Sequence, residues 1–186
     1  MDNGSESNTV DILFIEGPVT DTEGHLLKNA KVEIWHANGL GNYSFFDKSQ
    51  SDFNLRLTIF TDENGQYIAQ TTMPVGYGCP PDDTTQALLN QLGHHDQRPS
   101  HVHYFISAPN YRELKTQFNI EDDEYLWDNF AFATREDLTL QQQSKSQILL
   151  KFHVLIKTNH LKRSLLMSNW SKIIIKHHQQ KSMYAI

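Results

Sequence analysis

Residues 101–106 read HVHYFI, an alternating run that suits an extended strand. Successive side chains of a strand point to opposite faces, so His101 and His103 share one face. The chain around this run repeats the pattern in short pieces. Residues 11–20, DILFIEGPVT, are apolar and give way to turn residues, and DTEGHLL at 21–27 reads as strand, turn, strand. Lys31 to His36 alternates, with Val32, Ile34 and His36 on one face. Leu57 to Phe60 and Tyr67 to Thr72 flank TDENGQ, a Gly-containing turn that predicts a hairpin. Only Thr84 to Leu92 reads as a helix, and it is short. Short strands punctuated by turns predict an all-β fold, an antiparallel β-sandwich.

A chain of 186 residues has room for one domain that buries roughly two-thirds of its unfolded surface. No apolar run reaches the ~18 residues that a membrane span needs. The polar, acidic start MDNGSESNTVD argues against a signal peptide, and the single Cys79 excludes an internal disulfide. Both fit a cytoplasmic protein. The net charge of −6 hides a sharp break. Up to Leu138 stand all 22 acidic residues with eight basic ones, a net of −14; from Thr139 onward there are eight basic residues and no acid, +8. That basic stretch lacks Arg-rich clusters interleaved with stacking aromatics, so no nucleic-acid partner is expected.

Two tyrosines, Tyr43 and Tyr77, precede the histidine pair. A phenolate is a hard anionic oxygen donor and suits a trivalent hard ion better than zinc or copper. Imidazole is a borderline donor that iron also accepts. Two Tyr and two His with no neighbouring carboxylate or Cys pair therefore make a ferric pattern rather than a zinc one.

The segments around these residues carry a family resemblance. VEIWHANGLGNYSFFDKSQSDFNLR (32–56), TIFTDENGQY (58–67), PVGYGCPPDDTTQALLNQLG (74–93), HHDQRPSHVHYFISAPNYRELKTQFNI (94–120) and DEYLWDNFAFATRE (123–136) resemble the intradiol ring-cleaving dioxygenases, the catechol 1,2-dioxygenases above all. The resemblance runs from Met1 to Leu138 and implies the β-sandwich catalytic domain of that family. It also implies non-haem Fe(3+) as cofactor, held by Tyr43 in GNYSFFD, Tyr77 in VGYGC, and His101 and His103 in RPSHVH. Tyr43 and His101 would be equatorial, Tyr77 and His103 axial. Arg98, in QRPSH, matches an arginine beside the substrate ring that stabilises negative charge on the carbon oxygen attacks. Gln117, in TQFNI, matches a pocket position, and Phe130 and Ala131, in DNFAFATRE, match positions packed on the ring. Trp35 in IWHAN reads as a core anchor; His36, His94 and His95 receive no metal.

The implied reaction takes catechol and dioxygen to cis,cis-muconate. Tyr77 leaves the metal and acts as an internal base for a diol proton. The alternatives are a hydroxyquinol or chlorocatechol 1,2-dioxygenase, and an inactive truncated fragment of such an enzyme. The family's N-terminal helical region, which forms its homodimer interface and part of the pocket wall, has no counterpart in this sequence. Residues 139–186 have no family character, which suggests a reading-frame change near Leu138; within them Leu149 to Lys157 reads as a strand and Ser164 to Lys176 as a helix. Where the family commonly has glycine this chain has Asp96, which predicts a strained turn with positive φ.

Overall fold

The computed structural model describes residues 11–80, 83–140, 148–151 and 154–156. Two sheets face one another. The first is built on β1 (Ile12–Asp21), which pairs antiparallel with β4 (Gln66–Thr72), Ile12 opposite Thr72. Its other edge takes β8 (Ile148–Lys151) and β9 (Val154–Ile156), both parallel to β1. The second sheet has the order β3-β2-β5-β6-β7. Its strands are β2 (Lys31–His36), β3 (Arg56–Phe60), β5 (His101–Ser107), β6 (Leu114–Ile120) and the short β7 (Thr139–Leu140). The strand expected at 149–157 is present as β8 and β9, while the helix expected at 164–176 lies outside the described residues.

The period of two decides what enters the core. Along β2, Val32, Ile34 and His36 are buried and their neighbours only partly so. Along β5, Val102, Tyr104 and Ile106 are fully buried. These residues meet Leu13, Ile15 and Val19 of β1 and Tyr67 and Ala69 of β4 in one cluster with Phe118. Each such side chain contributes roughly 1.5–3 kcal/mol by leaving water. Tyr104 and Phe118 meet edge to face, ring centroids 5.1 Å apart.

Two expectations change in detail. The segments flanking TDENGQ do not pair as a hairpin: β3 pairs with β2, and β4 with β1 in the other sheet. The turn itself closes as expected, with Gly65 N–H donating to the Asp62 carbonyl. The buried Thr61 hydroxyl, however, donates to the Leu27 carbonyl and accepts from Ala30 N–H, anchoring the corner where the chain changes sheets. The sandwich is also not purely antiparallel, since β7, β8 and β9 add in parallel to β6 and β1.

The single described α-helix, α1 (Thr84–Gln91), falls where the sequence predicts it. Asp83 caps it, its carboxylate accepting from Thr85 N–H at 2.6 Å. The helix buries no residue and sits in the long connection from β4 to β5.

His36 ties the two sheets together through the core. Its Nδ1–H donates to the Ala37 carbonyl at 2.7 Å, which leaves Nε2 to accept from the Thr71 hydroxyl of β4, also at 2.7 Å. Burial holds its imidazole down to about pKa 4, from an ordinary 6.5. Thr71→Val leaves Nε2 buried without a partner and is expected to cost about 1–3 kcal/mol by urea unfolding. The metal-free chain is also expected to lose stability in acid. The unfolded chain takes up the His36 proton near 6.5 and the folded chain only near 4, so stability falls as pH drops through that window. Unfolding free energies measured between pH 7 and 4 check the sign.

Candidate metal centre

The outward face of β5 carries His101, His103 and Phe105, opposite the core residues. His101 is nonetheless 1% exposed, with Tyr77, Pro99 and His103 against its ring. Its Nδ1–H donates to the Pro99 carbonyl at 2.6 Å, fixing the tautomer that leaves a lone pair on Nε2. The Nε2 atom of His103 lies 3.1 Å away, so two imidazole nitrogens point into the same small space. The Tyr77 hydroxyl is 3.4 Å from His101 Nε2. The Tyr43 ring stands edge-on to that of Tyr77, centroids 5.2 Å apart, and 6.4 Å from that of His103. Tyr43 Oη is buried without a well-formed hydrogen bond. The four residues singled out in the sequence therefore converge.

The loops bearing the tyrosines are held by close backbone packing. Tyr77 and Arg98 form a two-residue antiparallel bridge, each N–H donating to the other's carbonyl, at 3.1 and 2.8 Å. A Cβ on Gly76 would lie 2.7 Å from the Arg98 carbonyl oxygen and 3.0 Å from the Asp123 carboxylate. A Cβ on Gly41, whose φ is +79°, would meet the Gly76 carbonyl oxygen at 2.9 Å. Asp123 then clasps the segments: its Oδ2 accepts from Ser100 N–H at 2.8 Å and its Oδ1 from Tyr125 N–H at 2.9 Å.

Arg98 supplies the positive charge. Nη1 donates to Tyr77 Oη at 2.9 Å and Nη2 to Gln117 Oε1 at 2.8 Å. Gln117 sits on β6 directly across from His103 and is braced by Asn119 at 3.1 Å. Phe130 is half-buried, its N–H bonded to the Gln97 carbonyl next to Arg98, whereas Ala131 is exposed on a turn formed by Asn129. Asp96 does not adopt positive φ, so the expected strain is absent. Its carboxylate instead accepts from Cys79 N–H at 2.9 Å and helps hold the Tyr77 loop. His95 lies 3.1 Å from the Asp128 carboxylate, away from this cluster.

Burial, then the Tyr77 side chain, pushes ionisation of Tyr43 far above the ordinary phenol range. Burial, then Arg98, holds His101 down to about 3 and His103 to about 4. A bound cation inverts that logic by stabilising phenolates directly. Among the described residues no group of three or more His, Cys, Asp and Glu comes together as a metal cluster. Two hard oxygen donors with two imidazole nitrogens fit a ferric ion, and Tyr43 Oη, buried without a well-formed bond, is a donor in want of one.

Two supporting residues escaped the sequence reading. Asp123 gave no local signal, because its partners are distant along the chain. Trp35 is not a core anchor. It lies out of phase with Ile34 and His36, on the outer face, stacked on His103 with centroids 5.0 Å apart and planes 12° from parallel. The alternation of β2 contained that information.

Comparison with known proteins agrees with this geometry. The family described as Dioxygenase matches residues 1–156. Catechol 1,2-dioxygenase of Acinetobacter guillouiae is 77% identical over 138 residues, which are 74% of this chain and 45% of that protein. The crystal structure of Acinetobacter radioresistens catechol 1,2 dioxygenase superposes with a TM-score of 0.82 at 59% identity, covering 91% of this chain and 60% of that one. Hydroxyquinol 1,2-dioxygenase of a Rhizobium species and chlorocatechol 1,2-dioxygenase of Cupriavidus pinatubonensis are more distant, at 35% and 37% identity. The chain thus spans less than half the length of the first of these relatives. Its sandwich, its family match over most of its length and its level of identity agree: the chain belongs to the intradiol dioxygenase family.

Proposed function

We propose that this chain is the catalytic sandwich of a cytoplasmic catechol 1,2-dioxygenase, binding non-haem Fe(3+) through Tyr43, Tyr77, His101 and His103 and taking catechol and dioxygen as substrates. The observation that carries the reading is the convergence of two imidazole Nε2 atoms, 3.1 Å apart, with two tyrosine rings over one face of β5. Ferric iron held there would supply the Lewis acidity that binds a diol as its dianion and makes its ring electron-rich toward dioxygen.

The protein's own contribution is to move a proton and place a charge. Tyr77 Oη would accept a proton from a diol hydroxyl, and Arg98 Nη1, 2.9 Å from that oxygen, would hold the resulting phenol in place. Gln117 fixes the guanidinium from its other side, so the cation is preorganised where negative charge develops on the ring. Tyr43, which receives no hydrogen bond from Arg98, would hold the iron as a phenolate. Phe130 borders the Arg98 segment and supports a substrate ring, with Ala131 beside it on the turn. Partial exclusion of water strengthens each of these charge interactions.

Turnover assays on the iron-loaded chain test this reading. Formation of cis,cis-muconate from catechol, faster than from hydroxyquinol or chlorocatechol, is the expected result; no product from any of the three diols contradicts it. Tyr77→Phe is expected to retain iron and lose about 10²–10⁴-fold in turnover, because the proton acceptor is gone. Tyr43→Phe is expected to lose the metal itself, measured by iron content after gel filtration. Gly76→Ala forces the Arg98 carbonyl and the Asp123 carboxylate away from the Tyr77 loop. Weakened iron uptake together with a lowered unfolding midpoint is the outcome expected for that variant.

A further inference from the structure

The two histidines are oriented by different means. His101 has the hydrogen bond that metal-binding imidazoles usually have on the nitrogen away from the metal, Nδ1–H to the Pro99 carbonyl at 2.6 Å. His103 has none: among the described residues its only hydrogen-bond contact is Nε2, which faces His101. Without such a bond the ring is free to rotate about its Cβ–Cγ axis and swing Nε2 out of the site. The Trp35 indole lies flat against it, centroids 5.0 Å apart and planes within 12°. Trp35 is in turn held by the edge of Phe105, 4.6 Å away at 84°. The pairing is built into the sheet, since Trp35 and His103 are direct cross-strand partners on β2 and β5.

We propose that Trp35 is the positioning residue of His103, its stacked indole replacing the missing hydrogen bond and keeping Nε2 aimed at the iron. This rests on the reading of the site as a ferric centre and extends it. An imidazole sandwiched against an indole keeps one plane; the same imidazole beside an aliphatic side chain does not. Face-on contact leaves Nδ1 without a protein acceptor among the described residues, so His103 has fewer hydrogen bonds to fix its plane than His101. The stack therefore acts on the ring that hydrogen bonding orients least.

The test compares the full chain with Trp35→Phe and Trp35→Leu after loading with ferric iron. Iron dissociation into a competing chelator and the high-spin ferric electron paramagnetic resonance spectrum are recorded, with far-ultraviolet circular dichroism to confirm folding. Trp35→Leu is expected to hold iron about 10–100-fold more weakly, the range seen when a ligand's orienting partner is removed, and to give a broadened or altered ferric signal. Trp35→Phe, which restores a ring, is expected to recover most of both. A folded Trp35→Leu chain with the parental signal and affinity overturns the proposal while leaving the ferric reading intact. A parent chain that takes up no iron overturns both. Should Trp35→Leu not fold, Trp35 fluorescence decides in a chain with Trp127→Phe and Trp170→Phe. Stoichiometric quenching by ferric iron supports the stack, and unchanged emission contradicts it.

Discussion

The strand period of two in β5 is the constraint on which the rest depends. One register sends Val102, Tyr104 and Ile106 into the sandwich core and His101 and His103 to the outer face. A slip of one residue would bury both imidazoles among aliphatic side chains and expose the core. The same hydrophobic burial that stabilises the fold thus fixes the direction of the two nitrogen donors. Neighbouring strands extend the arrangement in rows, so that Trp35, His103 and Gln117 stand side by side across three strands. The site is a product of the sheet's geometry before any loop contributes to it.

The loops complete it by bringing oxygen donors and a cation against that face. They approach so closely that Gly41 and Gly76 have no space for a side chain. The Tyr77–Arg98 bridge and the Asp123 carboxylate then lock the loops in position. The electrostatic result is a pocket of buried neutral donors beside one guanidinium. Such a pocket is poorly satisfied by itself: the Tyr43 hydroxyl and Arg98 Nε are both buried without a hydrogen-bond partner. Unsatisfied buried polar atoms cost free energy. The two tyrosines are also inequivalent, since only Tyr77 receives a hydrogen bond from Arg98.

Much of this was legible in the sequence because the signals were local. The alternation of HVHYFI carries the strand and the shared face of its histidines, and the helix lies where Thr84 to Leu92 reads as one. The pairing of β3 and β4 was not legible. The turn between them looks like any hairpin, and what sends the strands to different sheets is the bonding of Thr61 to Leu27 and Ala30, more than thirty residues away. Asp96 shows the same limit: its carboxylate serves the Cys79 backbone, a role that no reading of the turn alone suggests. Trp35 reads as a core anchor in IWHAN, although its phase in β2 places it on the face of the histidines. The family match extends to residue 156, beyond the charge break at Thr139, and the late strands pair with β1 there.

The central claim is that four protein side chains form a ferric site on this face, and a visible absorption titration with ferric iron tests it most directly. A broad tyrosinate-to-iron charge-transfer band that saturates at one equivalent and shifts when catechol is added is the expected result. A protein that stays colourless through the titration would contradict it.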